Sequence, residues 1–370
     1  MASARRTILF ATQAFGRESV GGLGVSAARI AGHLASDWDM RVIVPAAGLA
    51  PHACRRHERA GLTVVEVGAA TGETALQHVV DVLDDEAASA VDPVYAAFYC
   101  HRLAHAVTLA AALRHQRPVV FARGNDVDLE VFGPYGMHVL HALAAARRVF
   151  CVSREMEEKV RAYCPGAVTR YVANGVDTAR FVPQPVPTPR ARPVVGLFGD
   201  VKEKKGLGIL LEAFDFRRYD LQLVGSIREE SRLLLHGFLT LHPELRDRVV
   251  VRPFTAEEAT LAGYYGAVDV VCIPSVHEGM ANVMLEAFAS GRPCVCSAVG
   301  GARDAVVDGS NGFLCPPRSA AALASAIDRA VAAVRADPEG LARAARATAE
   351  RYSAQAEAEH YRREFATLDS

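Results

Sequence analysis

The chain has 370 residues, of which 51% are apolar and 22% charged, with a formal net charge of −1. Single cores stop growing at roughly 250 to 300 residues, so two domains are expected, and the apolar content suffices for two cores. A near-zero charge without a long basic run excludes the electrostatic footprint of nucleic-acid binding.

Eight cysteines sit among apolar, strand-like neighbours, as in Phe150-Cys151-Val152 and Cys294-Val295-Cys296, and read as buried thiols of a reducing compartment. Cys294 and Cys296 lack further ligands at metal-site spacing. Met1 to Arg6 is basic and runs into Thr7 to Ala11, too short an apolar run for a signal peptide or a membrane span. A cytoplasmic protein is expected, with no more than peripheral membrane contact.

Short β-branched runs then alternate with helical stretches, the pattern of parallel sheets wrapped in helices, and the alternation occurs twice. In the first half the predicted strands are Thr7 to Ala11, Arg41 to Val44, Thr63 to Val67, Val94 to Tyr99, Val119 to Ala122, Val149 to Val152 and Arg170 to Val172. After the first of them, Gly21-Gly22-Leu23-Gly24 opens a helix predicted from Val25 to about Ala35, and its glycines permit close approach to a ligand. Arg55, Arg56 and Arg59 form a short basic patch, read as a solvated loop, with weak attraction to an anionic lipid surface as the sharper alternative.

Tyr99 and His101 stand at a strand end facing a ligand, although a capping or packed role suits His101 equally. Asn174-Gly175 is a turn signal, and Asn174 is also a ligand candidate. Residues 183–193, with Pro183, Pro185, Pro187, Pro189 and Pro193, read as a linker, because neither helix nor inner strand tolerates that composition. The first domain is therefore placed at 1–182 and the second at 194–355, with a helix over about 356–370 packing back on the first. Strands resume at Val194 to Phe198, Leu221 to Val224, Val249 to Val251, Val270 to Ile273, Val295 to Cys296 and Phe313 to Cys315.

The most informative segment runs from Pro274 to Gly291: a strand end, a loop, then a helix with Asn282 as N-cap and Gly291 as stop. The first amides of a helix have no partner inside it, and with the macrodipole they favour an anion such as a diphosphate, to which Asn282 and Val283 would donate. Glu286, one turn deeper on the same face, suits the vicinal hydroxyls of a ribose. Glu278, in the preceding loop, suits the hydroxyls of a sugar. In Phe198-Gly199-Asp200-Val201-Lys202-Glu203-Lys204-Lys205-Gly206, a strand ends and a helix opens, bringing Lys202, Lys204 and Lys205 to the same end of the sheet.

The spacing E-x7-E of Glu278 and Glu286 within E-G-M-A-N-V-M-L-E-A resembles the signature of glycosyltransferase family 4. So do the flanking Ala256 to Asp269 and Gly291 to Pro317 segments, the Gly-Gly-x-Gly cluster at Gly21, Gly22 and Gly24, and the Asn174-Gly175-Val176-Asp177 motif. The resemblance implies an α/β chain of the GT-B fold, two Rossmann-like doubly wound domains facing a central cleft. It also implies a retaining, metal-independent transfer of a hexose-type sugar from a nucleotide diphosphate, a UDP-sugar, to a hydroxyl of a glycan, lipid-linked or natural-product acceptor, with no cofactor beyond that co-substrate.

Glu278, Lys205 and Arg123 would act at the reaction centre. Glu286, Asn282, Val283, Gly279, Met280, Lys202, Lys204 and Gly199 would hold the donor. Gly21, Gly22, Gly24, Tyr99, His101, Asn125, Asp126 and Asn174 would serve the acceptor side. Two positions depart from the family: Asp200 stands where an arginine is common, and Arg123 where a histidine is common. Asp126 and Asp128 also make the D-x-D spacing with which another glycosyltransferase architecture holds a divalent cation, a role that the helix start and lysines already fill here. The alternatives are a nucleotide-sugar epimerase and a catalytically silent sugar-nucleotide-binding protein.

Overall fold

The computed structural model describes residues 5–16, 22–68, 73–185, 190–255 and 257–368; Gly21, Pro187, Pro189 and Ala256 lie outside them. The chain divides into two compact units, Met1–Ala173 with Ala358–Ser370, and Asn174–Glu357.

The first unit is built on strands β1 (Thr7–Thr12), β2 (Asp39–Ala46), β3 (Cys54–Arg59), β4 (Leu62–Gly68), β5 (Val94–Phe98), β6 (Val119–Ala122), β7 (Arg148–Cys151) and β8 (Thr169–Tyr171). They lie in the order β3-β4-β2-β1-β5-β6-β7-β8. All neighbours are parallel except β3 and β4. The central strands β1, β5 and β6 are buried along their whole length, which is why they read as continuous apolar runs. Phe10, Phe98, Phe121 and Phe150 form the centre of the core, and Tyr361 and Phe365 of the C-terminal helix complete it.

β3 corrects the reading of Arg55, Arg56 and Arg59 as loop residues. It is an edge strand paired antiparallel with β4, and its side chains are mostly exposed, so no alternation of apolar residues announces it. Arg55 pairs with Glu66, and Arg56 reaches Glu86 at 2.7 Å. Charges on such an edge discourage pairing with another chain.

The second unit carries β9 (Val194–Phe198), β10 (Asp220–Val224), β11 (Val249–Arg252), β12 (Val270–Ile273), β13 (Cys294–Ser297) and β14 (Gly312–Cys315), all parallel, in the order β11-β10-β9-β12-β13-β14. Strand order reverses between β9 and β12, and open α/β sheets bind ligands beyond the carboxyl ends of the strands at such a reversal. Leu197, Leu210, Leu221, Val270, Phe313 and Ile327 are core residues of this unit.

The proline-rich stretch differs from the expected linker in that its described residues are tied to the second unit. Proline lacks an N–H but keeps a carbonyl acceptor, and the fully buried Arg292 donates from Nη2 to Pro185 O at 2.6 Å. Gln184 N donates to Ser290 O at 3.1 Å, and Arg190 Nη1 to Ala267 O at 2.8 Å. The units therefore divide after Ala173, ahead of the prolines. Among the described residues, no helix is long and apolar enough to cross a membrane.

Candidate functional site

In the second unit, the loops leaving β9, β12 and β13 are stitched together through backbone atoms. Val276 N donates to Lys204 O at 2.8 Å, and Gly301 N to Gly279 O at 2.6 Å. Two glycines make that approach possible. Gly206 has φ +74°, and a Cβ there would lie 2.1 Å from Pro274 O; Gly300 has φ +51°, and a Cβ there would lie 1.9 Å from Glu278 O. Neither position admits a side chain without moving the loop that carries Glu278.

Within this cradle Glu278 Oε2 accepts from Lys205 Nζ at 2.5 Å, and its Oε1 lies 3.6 Å from Lys204 Nζ. Burial pushes the Glu278 carboxyl up, but the Lys205 and Lys204 ammonium groups outweigh it and hold the carboxyl at about 2. Burial in turn lowers Lys204 from its ordinary value, against the pull of Glu278. Glu278 is thus ionised at neutral pH, an acceptor of hydrogen bonds without a proton to give. Lys202 is more exposed and lies 3.9 Å from Asp200.

The helix after the loop is Asn282–Ala289, with Ala281 at the cap, so Asn282 is its first residue rather than its N-cap. The Asn282 side chain is used elsewhere: its Oδ1 accepts from Asn174 Nδ2 at 2.9 Å. Asn174 also donates to Met280 O at 3.0 Å, and its backbone N to Met280 Sδ at 3.3 Å. Asn174 therefore belongs to the second unit, outside the first domain expected to end at 182, and its side chain braces the helix start. Met280 is buried, and both its sulfur and its carbonyl are turned to Asn174. Asn282, Val283 and Glu286 form a partly exposed face of this otherwise largely buried helix, and Gly199 lies beside it, since a Cβ there would meet Val283 Cγ2 at 3.4 Å.

Nothing in the local sequence marks two further residues that hold candidate site residues in place or lie beside them, Tyr265 and Arg228. Tyr265 is fully buried, stacks on Phe198 with ring centroids 4.3 Å apart, and donates its hydroxyl to Glu286 Oε2 at 2.8 Å. Burial and the facing carboxylate push that hydroxyl well above its ordinary pKa, so it remains a donor. Arg228 grips Asp200, its Nε and Nη2 donating to the two carboxylate oxygens at 2.7 and 3.0 Å.

In the first unit the strand order reverses between β1 and β5. His101 stands there, its Nδ1 2.8 Å from Gln13 Nε2 and its Nε2 3.4 Å from Glu130 Oε2. It occupies the N-cap position of helix Arg102–Leu113 but makes no side-chain cap bond, and burial lowers its pKa against the pull of Glu130. Tyr99 has φ +81°, a left-handed conformation that costs a bulky residue about 1–3 kcal/mol and concentrates at functional sites. Arg123 lies over the Phe98 ring at 4.8 Å, and Asn125 opens a short helix that contains Asp126.

Asp126 is a correction. It has no exposed surface, and its oxygens accept from the backbone N–H groups of Cys100, Arg123, Gly124 and Val127 at 2.7–3.1 Å. It ties two strand-end loops together and has no capacity for an acceptor hydroxyl. Asp128 is taken by Lys159 at 2.6 Å, so the two acids of the D-x-D spacing serve different partners. Gly24 is buried inside helix Gly22–Leu34, which begins three residues before the predicted Val25, while Gly22 is exposed at its first position.

Two Rossmann-like units in one chain are the GT-B architecture. Residues 192–333 match the family model described as Glycosyl transferases group 1. Over 191 residues the chain is 34% identical to a D-inositol 3-phosphate glycosyltransferase of Xylanimonas cellulosilytica, an alignment covering 47% of this chain and 44% of that protein. The chain spans about half the length of the curated relatives it matches.

Among solved structures, it is similar to sucrose-phosphate synthase from Thermosynechococcus elongatus, with a TM-score of 0.78 at 23% identity over 98% of this chain and 100% of that one. HepE of Anabaena, in complex with UDP and glucose, matches with a TM-score of 0.79 at 20% identity over the same shares. Likeness at this identity carries the fold.

Proposed function

We propose that the chain is a retaining, metal-independent glycosyltransferase of family 4 type that moves a hexose from a UDP-sugar to a hydroxyl of a glycan, lipid-linked or natural-product acceptor in the cytoplasm. The observation that carries this reading is the convergence, at the strand reversal of the second unit, of a helix start, a glutamate clamped by two lysines, and a second glutamate one turn along that helix. The diphosphate rests on the first amides of the Asn282 helix, Glu286 accepts from the ribose hydroxyls, and Glu278 accepts from the hydroxyls of the sugar. Lys205 and Lys204 stabilise the charge that grows on the leaving diphosphate.

In the transfer step the bond from the anomeric carbon to the diphosphate oxygen breaks, and the acceptor oxygen bonds to that carbon from the same face. The acceptor proton passes to the departing diphosphate, so configuration is retained. Glu278 orients the sugar and, ionised at its low pKa, has no proton to donate; the same-face route calls on no attacking side chain. The lysines supply the positive charge that a metal would otherwise bring. The first unit, through Tyr99, His101, Asn125 and Arg123, is assigned to the acceptor. The inositol 3-phosphate glycosyltransferase relative supports glycosyl transfer, and the UDP and glucose held by HepE support the donor class.

The test is release of nucleoside diphosphate from a panel of nucleotide sugars, with and without acceptor extract and with and without EDTA. Acceptor-dependent, EDTA-insensitive release with retention in the product is expected. Conversion of the sugar without acceptor would replace the reading with an epimerase, and binding without any turnover would leave a silent binding protein.

A further inference from the structure

No step of the transfer draws on the pair formed by Asp200 and Arg228. Two half-exposed or exposed charges joined at the surface usually stabilise a fold by only about 0–1 kcal/mol, yet this pair is built with care. The Asp200 side chain is only 12% exposed while that of Arg228 is 48% exposed. The fork is bidentate, which fixes the plane of the guanidinium as well as its position.

The backbones beneath are locked together: Val201 N donates to Ser226 O at 2.7 Å, and Arg228 N to Val201 O at 2.9 Å. Both loops leave the carboxyl ends of adjacent strands, since Phe198 of β9 is in register with Val224 of β10. Asp200 follows directly on Gly199, which lies against Val283 in the first turn of the Asn282 helix. An acid alone at that place would repel a diphosphate. An acid that holds a guanidinium by one edge instead presents the remaining N–H groups of Nη1 and Nη2 as a preset donor pair.

We propose that Arg228 is a diphosphate-binding residue and that Asp200 is the positioning residue that aims it. The inference rests on the nucleotide-diphosphate reading of this unit. It assigns to Asp200, an acid in a basic loop, the task of carrying a cation that comes from the neighbouring strand rather than from its own.

The test is equilibrium binding. Whichever of UDP, GDP and ADP binds the wild-type chain is followed as diphosphate, monophosphate and free nucleoside, with wild type, Arg228→Ala, Arg228→Lys and Asp200→Asn compared. Arg228→Ala is expected to weaken the diphosphate about tenfold, as loss of a charge-assisted bond does, and to leave the nucleoside unchanged. Arg228→Lys, with charge but no fork, and Asp200→Asn, with the fork unaimed, should fall between.

Equal losses for diphosphate and nucleoside, or diphosphate affinity unchanged in Arg228→Ala, overturn the inference and leave the function standing. A wild type that binds none of the three diphosphates overturns the function as well. Should Arg228→Ala melt prematurely, the Arg228→Lys ratio of diphosphate to nucleoside affinity decides alone.

Discussion

The two units use the same kind of sheet and the same end of it, but they treat polar residues there in opposite ways. At β5 and β6 the most conspicuous acid, Asp126, is turned inward and consumed by four backbone amides. At β12 the corresponding acid, Glu278, is held by side-chain ammonium groups that a ligand can share, while the loop beneath it is fixed by glycine-permitted backbone contacts. A carboxylate braced by amides is structural. One braced by side-chain cations over a rigid loop keeps its electrostatics available for chemistry.

The sharpest way to break that contrast is Glu278→Gln. It should lower turnover by on the order of a hundredfold or more, as loss of one preorganised charge contact does, with nucleotide affinity changing by no more than about threefold. Steady-state kinetics beside direct UDP titration decides this, and matched losses in both would make Glu278 a mere binding residue.

Asp126→Ala should do the reverse. With four buried N–H groups left without their acceptor, unfolding free energy should drop by roughly 3 kcal/mol or more, read by denaturant titration, while UDP affinity of the folded fraction stays unchanged. A variant as stable as the wild type would show that the amides around Asp126 do not depend on its carboxylate.

A smaller effect is expected from Tyr265→Phe, which deletes the donor to Glu286 and keeps the ring stack on Phe198. KM for the nucleotide sugar should rise about fivefold, the equivalent of one net hydrogen bond, with kcat intact. An unchanged KM would mean that Glu286 needs no bracing.

A further effect concerns pH. Glu278 sits at about 2 in the fold against an ordinary 4.5, so its stabilising contribution is complete above 4.5 and is lost as pH falls towards 2. The difference in melting temperature between wild type and Glu278→Gln should stay flat above 4.5 and shrink below it. A difference that instead varied between pH 6 and 8 would point to another titrating group.

Much of this architecture is legible in the sequence because it is written in local pattern. β9 and β12 fall on the predicted residues since each is a short β-branched run with breakers on both sides. β3 escapes such a reading because an exposed edge strand of arginines and a histidine has no apolar alternation to display. The helix at Asn282 starts one residue before the expected Val283, a shift within the ordinary uncertainty of helix ends. Asp126 defeats a reading by residue type, because burial decides whether an acid faces a ligand or a ring of amides.

The sequence alone determined two parallel α/β sheets, the helix start to within a residue of Asn282, and the two glutamates a fixed number of residues apart, since all of these depend on neighbours within a few turns. Tertiary structure decided what those glutamates touch. Lys205 meets Glu278 across 73 positions, Tyr265 meets Glu286 across 21, and Arg228 meets Asp200 across 28. Such contacts arise only when strands distant along the chain are laid side by side, and local periodicity carries no record of which strand lies beside which.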